Sequence, residues 1–217
     1  MKKAIIIANG QVVKPPNLKN YITSSAIIIA ADGGIHNCIS LGIRPNIIIG
    51  DLDSIEVRKI EEYWDAGVQI IQYPTHKDET DLELALHHTK EIGVCEVILL
   101  GGLGARWDMT IANILLIAHP QYKDMNILIL DGTQELFILR AGLHSIVHGH
   151  PGGLISLIPI AGDVTGIVTS GLEYPLNDET LQYGTARGVS NVFTQEQAQI
   201  FITQGVLLCV INRGENG

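Results

Sequence analysis

The sequence predicts an α/β domain with a mostly parallel sheet over residues 1–122, followed by an all-β sandwich domain over residues 123–217. Three observations carry this reading. In the first half, short runs are apolar at every position, which suits strands covered on both faces. Those runs alternate with helical patterns. After residue 122 the texture changes to short strand-like segments broken by Gly and Pro.

The strands of the first half read in order as "KAIIIA", "AIIIA", "NIIIG", "VQIIQY" and "EVILLGG". Together they describe a Rossmann-like open sheet. "TDLELALHHTKEIG" illustrates the helices between them. Thr80 and Glu83 have capping-box spacing, Leu82, Ala85 and Leu86 form an apolar stripe, and Gly93 is placed to end the helix. In the second half, "MNILILDGTQELFILRAG" sets an Asp131-Gly132 turn between two strand-like runs, which assigns both to the sandwich. "TQEQAQIFI" hints at a helix, against the preference of its branched residues.

Composition bounds the function. With 217 residues, 46% hydrophobic, the chain can bury one large core or two modest ones. A formal net charge of -9 without a basic stripe excludes nucleic acid as a partner, although a small anion can still bind through a metal. The N-terminal apolar run is too short for a signal peptide, and no run is long enough to span a bilayer, so no membrane association is expected. Cys38, Cys95 and Cys209 are odd in number, widely spaced and without a C-x-x-C pair, which fits reduced thiols in the cytoplasm.

Chemistry gathers where ligands bind in open parallel sheets, beyond the carboxyl ends of the strands. "ADGG" places Asp32 after the second strand and "GDLDS" places Asp51 and Asp53 after the third. "KDETD" places Lys77, Asp78 and Asp81 after the fourth, and "GGLGARWD" places Arg106 and Asp108 after the fifth. Residues i and i+2 of an extended segment face the same side, so Asp51 and Asp53 can reach one ion together. With Asp81 or Asp108 beside them they require a divalent cation, and hard oxygen donors favour magnesium over zinc.

"LLGGLGARWD" reads as a phosphate or nucleotide loop. Gly102 and Gly104 let the backbone approach an anion at a helix N-terminus, and Arg106 adds charge. The stretch is not a P-loop, and Trp107 replaces the third glycine of a dinucleotide fingerprint. A dinucleotide reading remains open through Asp131 at the end of "ILILD". His144, His148 and His150 in "HSIVHGH" could bracket a transition metal, although they lie in a turn-rich stretch of the β half and bring no companion acid or cysteine; His36, His87 and His88 are read as structural.

Through "ADGG", "GDLDS", "KDETDLELAL", "GGLGARWD" with Asn113, and "GLEYPL…LQYGTARGVSNVF", the chain resembles the thiamin pyrophosphokinase family. The resemblance implies transfer of a pyrophosphate group from ATP to the hydroxyl of thiamin, giving thiamin diphosphate and AMP, with magnesium. It also implies a homodimer whose thiamin site is shared between the catalytic domain of one subunit and the β domain of the other. On this resemblance Asp51, Asp53 and Asp81 would bind magnesium, and Asp108 would lie beside the reacting alcohol. Asp32, Lys77, Gly102, Gly104, Arg106 and Asn113 would serve the nucleotide. Tyr174 would offer an aromatic wall to the cationic thiazolium, and Ser190 and Asn191 would bond the pyrimidine edge. Met109 departs from the family pattern, in which a polar residue commonly follows the aspartate of "RWD". Two rivals use the same residues, a metal-dependent nucleotide phosphohydrolase and a non-catalytic nucleotide sensor.

Overall fold

The computed structural model describes residues 2–16, 18–104 and 106–214. The chain divides into two compact units, Met1–Gly132 and Thr133–Gly217.

In the first unit the parallel strands are β1 (Lys3–Ile7), β2 (Ala26–Ala31), β3 (Ile47–Gly50), β4 (Gln69–Gln72), β5 (Glu96–Leu100) and β6 (Asn126–Asp131). Their spatial order is β6-β5-β1-β2-β3-β4. The chain therefore builds outward from β1 on one side, then crosses to the other side with β5. Ile5, Ile6 and Ile7 are successive and fully inaccessible, which requires cover on both faces of the sheet.

That cover comes from the intervening helices. Leu18 of the short α1 (Leu18–Tyr21), Ile35 and Cys38 of α2 (Gly34–Leu41), with Ile60 and Tyr63 of α3 (Val57–Asp65), join one apolar cluster with Ile5, Ile28 and Ile48. Helix α4 (Asp81–Glu91) lies over β1, β2 and β3, burying Leu82, Ala85 and Leu86, the stripe expected from its spacing. Its first turn is capped as the sequence predicts, the Thr80 hydroxyl accepting the Glu83 N–H at 3.2 Å. Helix α5 (Trp107–Ala118) follows β5.

The boundary between the units falls ten residues later than the expected 122/123. The run Asn126–Asp131, assigned from sequence to the sandwich, is β6 and pairs parallel with β5 from Glu96↔Asn126 to Leu100↔Leu130. The Asp131-Gly132 turn thus marks the end of the first unit, with Gly132 at φ 57°.

The second unit is a two-sheet sandwich. One antiparallel sheet has the order β12-β9-β14-β7, formed by β7 (Gln134–Arg140), β9 (Leu154–Pro159), β12 (Asn191–Val192) and β14 (Val206–Asn212). The other is β11-β10-β13-β8, formed by β8 (Ser145–His148), β10 (Val164–Ser170), β11 (Asn177–Leu181) and β13 (Gln197–Phe201). Leu139, Ile155, Leu207 and Cys209 of the first sheet pack with Val147, Ile167, Leu181 and Ile200 of the second around Phe193. "TQEQAQIFI" contributes β13 rather than a helix. Its alternation buries Ala198 and Ile200 and leaves Gln197 and Gln199 out, a period of two.

Candidate active site

The strand order reverses between β1 and β5, and there the first unit opens a cleft of about 350 Å³. Its walls are the turns after β1, β2 and β5 and the N-terminal ends of α4 and α5. Ala8, Asn9 and Gly10 lie on one side, Asp32 and Asp81 on another, and Gly101–Gly104, Arg106, Met109 and Asn113 close it. Asp131 ends β6 and is not among the lining residues, so the cleft lends the dinucleotide reading no ribose-binding acid.

Two glycine-dependent contacts shape the floor. A Cβ on Gly10 would lie 2.4 Å from the Gly101 carbonyl oxygen, so only glycine lets the β1 and β5 turns meet. The Gly10 N–H donates to that oxygen at 2.9 Å. Asn37 of α2 ties the β1 turn down by donating its amide to the carbonyls of Ala8 (2.7 Å) and Gly10 (2.9 Å). On α5, Asn113 is buried and donates to the Gly102 carbonyl at 2.7 Å, while the Gly104 N–H donates to Thr110 Oγ1 at 3.1 Å. Asn113 therefore acts on the loop itself, fixing the backbone that would meet an anion.

Asp32, Asp51 and Asp53 each bring one carboxylate oxygen to within 4.8 Å of the others. Asp32 is 8% exposed and its Oδ1 has no hydrogen-bond partner. Asp32 and Leu52 both adopt left-handed backbone, at φ 42° and 65°. Such conformations are costly for side-chain-bearing residues and persist only when the surroundings impose them. Here the Asp32 N–H is held by the Ile49 carbonyl at 2.7 Å, and Leu52 is buried in the core. The segment around Asp51 and Asp53 is thus a tight turn, not the extended strand assumed from their spacing. The Asp53 N–H approaches Asp51 Oδ1 at 3.3 Å, and the turn rather than pleat alternation brings both carboxylates together.

Asp81 stands slightly apart, 2.8 Å from the Lys77 ammonium, which also lies 3.9 Å from Asp51 Oδ2. Electrostatics follow this map. The Asp51 charge, with burial and Asp32 adding to it, raises the Asp53 carboxyl above the usual range. Burial pulls the Lys77 ammonium down, but the hydrogen bond and charge of Asp81, then Asp51 and Asp32, leave it raised. Hard carboxylate oxygens, mutual repulsion and an orphaned buried oxygen fit a small divalent cation of the magnesium type.

Arg106 and Asp108 pair at the mouth of α5, with contacts of 2.5 and 3.2 Å. The Arg106 hydrogen bond, reinforced by the Met109 N–H, lowers the Asp108 carboxyl below its ordinary range.

In the second unit Tyr174 is 63% exposed, and its backbone is clamped by Asn191. The Asn191 amide accepts the Tyr174 N–H at 3.1 Å and donates to the Tyr174 carbonyl at 2.8 Å. Asn191 therefore sets the position of the aromatic ring. Ser190 sits at φ 59°, its N–H donating to Ser156 Oγ at 3.0 Å, and its side chain lies at an exposed turn. Two histidines of "HSIVHGH" have other contacts. His144 stacks on Phe201 with ring centroids 4.5 Å apart, and His150 Nε2 contacts the Arg213 carbonyl at 2.9 Å. Among the described residues the one cluster able to hold a metal is Asp32, Asp51 and Asp53.

Sequence reasoning passed over Ala8, Asn9 and Gly10, although "ANG" follows the first strand just as "ADGG" follows the second. Asp32, expected on the nucleotide side, lines the cleft and also brings its carboxylate into the acidic cluster.

Comparison with known proteins agrees with this geometry. Residues 18–129 match the family model "Thiamin pyrophosphokinase, catalytic domain", and residues 143–207 match "Thiamin pyrophosphokinase, vitamin B1 binding domain". A thiamine pyrophosphokinase of Bacillus subtilis is 28% identical over 213 residues, covering 97% of this chain and 98% of that protein. A crystal structure of the thiamine pyrophosphokinase from Bacillus subtilis superimposes with a TM-score of 0.87 at 25% identity, covering 98% of this chain and all of the other (100%). Yeast thiamin pyrophosphokinase shares the fold at a TM-score of 0.76 and 18% identity, over 97% of this chain and 86% of its own. With a cleft at the strand-order reversal, an acidic cluster beside it and both halves matched in order, the chain belongs to the thiamin pyrophosphokinase family.

Proposed function

We infer that the chain is a thiamin pyrophosphokinase, an ATP-dependent transferase that moves the β- and γ-phosphoryl groups of ATP together onto the hydroxyl of thiamin. The observation that carries the reading is the switch-point cleft with Asp32, Asp51 and Asp53 converging at its edge. The thiamin oxygen forms a bond to the β-phosphorus, the bond from that phosphorus to the α-phosphate oxygen breaks, and AMP leaves. Attack at the β- rather than the γ-phosphorus rests on the family.

Asp51 and Asp53, with Asp32 or Asp81 as the third carboxylate, would hold magnesium, which when bound neutralises phosphate charge. The chain's own groups do the remaining work. The Gly101–Gly104 turn, held by Asn113 and Thr110, presents backbone to the phosphates. Arg106 and Lys77 offset charge on the departing AMP. Asp108, its carboxyl lowered by the Arg106 hydrogen bond, is a weak base; it orients the alcohol by accepting its hydrogen bond and takes the hydroxyl proton late, as the bond to phosphorus forms, releasing it to solvent. Met109 offers an apolar surface to the cleft where a polar side chain would otherwise bond.

Tyr174, positioned by Asn191, is the proposed thiamin contact, and Ser190 lies on the adjoining turn. We place these in a homodimer, each thiamin site completed by a partner's β unit. The support is an uncovered stripe on α5, where Trp107, Ile111 and Leu115 recur every fourth residue at 81%, 56% and 50% exposure. Equilibrium sedimentation is expected to give twice the chain mass of 23.5 kDa, and a monomer at assay concentration would refute the shared site. A cytoplasmic setting is supported by three free thiols, two of them buried. Burial pushes the Cys38 thiol up to about 12, so it resists oxidation. No helix among the described residues is long and apolar enough to cross a membrane.

The deciding assay mixes protein, thiamin, ATP and magnesium. AMP and thiamin diphosphate are expected to appear together and in equal amounts. ADP with thiamin monophosphate would mean an ordinary kinase, and phosphate release without thiamin would mean a hydrolase.

A further inference from the structure

We propose that Lys77 is a built-in counter-cation of the acidic cleft, holding Asp81 and Asp51 until a metal–nucleotide complex displaces it, so that the chain takes up a divalent cation with nucleotide rather than alone. The inference rests on the cation and nucleotide reading above and concerns the order in which that site fills.

The geometry gives Lys77 an unusual position. Its side chain is 11% exposed and lies 2.8 Å from Asp81 and 3.9 Å from Asp51, whose own side chain is 13% exposed. Among the described residues no other Lys, Arg or His nitrogen lies within 4.0 Å of Asp32, Asp51 or Asp53. Asp32 meanwhile keeps a buried oxygen without any partner. One ammonium therefore compensates a group of carboxylates that needs more positive charge than it supplies, with Asp32 buried, Asp51 half-buried and Asp53 open to water.

A bare divalent cation entering on Asp51 meets the Lys77 ammonium within a few ångströms. It must either tolerate that like charge or force Lys77 out of two ion pairs. A metal–nucleotide complex brings its own phosphate oxygens, which accept the N–H groups that Lys77 withdraws from Asp81 and Asp51. Lys77 sits in the irregular segment between β4 and α4, free of the helix that carries Asp81, so a change of partner needs only side-chain and loop rotation. The result is positive coupling between cation and nucleotide. A purely structural ion pair produces no such coupling, and a simple phosphate contact leaves the affinity for the bare cation untouched.

The test titrates Mn2+ into the full chain, reading free Mn2+ by electron paramagnetic resonance, with and without α,β-methylene-ATP. K77M is expected to bind bare Mn2+ about tenfold tighter than the unaltered chain, and the analogue's enhancement of Mn2+ affinity is expected to shrink by a similar factor. K77R, which keeps the charge, should stay within about twofold. If circular dichroism shows that K77M does not fold, K77Q retains a donor to Asp81 without the charge and reads the same competition. Unchanged or weaker bare Mn2+ binding in the neutral variant overturns the proposal. If D51N at the same time loses Mn2+, the cation site stands and only the role of Lys77 falls. If neither the unaltered chain nor K77M takes up Mn2+, both fall together.

Discussion

D51N and D53N are each expected to reduce the formation of AMP and thiamin diphosphate by at least about a thousandfold while leaving the fold intact. Asparagine keeps the size of the side chain and removes one charge from a group whose oxygens gather within 4.8 Å. The loss falls on the cation and phosphates, which need those charges. The apo protein needs them less. Removing the Asp51 charge relieves the repulsion that raises the Asp53 carboxyl, so the melting temperature should hold or rise even as turnover vanishes. Opposite movement of activity and stability separates this outcome from simple misfolding. Near-normal turnover in both variants would remove the metal assignment.

The largest stability effect is expected at Phe193. The ring is 1% exposed at the centre of the sandwich, where it meets side chains of both sheets. Gly149 leaves room for it, since a Cβ there would lie 2.5 Å from the ring. The Phe193 backbone is fixed as well, exchanging hydrogen bonds with Gly152 and Gly153 at 2.9 Å each, so the site cannot collapse onto a smaller side chain. F193A should cost about 3–5 kcal/mol. Urea unfolding followed by circular dichroism reads the loss in the transition of the second unit, and a change below about 1 kcal/mol would mean that the core there is loosely packed.

The sequence made the skeleton of the cleft legible for a topological reason. In a parallel sheet every strand ends at the same edge, so carboxylates that follow successive strands converge without any tertiary information. Asp32, Asp51 and Asp53 meet as that rule demands. Local conformation was harder to read. The left-handed Leu52 replaces the extended segment assumed between Asp51 and Asp53, because a buried leucine at φ 65° is decided by the core around it rather than by spacing. The partner of Asp81 was equally hidden, since Lys77 precedes it by four residues yet lies off the helix. Asn191, expected as a ligand contact, also uses both ends of its amide to hold the Tyr174 backbone, a pairing across seventeen residues that no motif announces. Strand β6 went to the wrong unit in the sequence reading because an Asp-Gly turn marks the end of a strand without saying which sheet owns it.

The walls of the cleft come from segments far apart in the chain, around residues 8–10, 32, 81 and 101–113, all within the first unit. A nucleotide seated there acts as a clasp. Opening any one of those crossovers by local unfolding would forfeit the ligand, so occupancy raises the free energy of each opening, by about 2.7 kcal/mol when ligand is a hundredfold above its dissociation constant. Segments scattered along the chain then open together in the filled protein or not at all. The resistance of the first unit to proteolysis and hydrogen exchange is then set by cellular nucleotide as much as by the packing of its isoleucines.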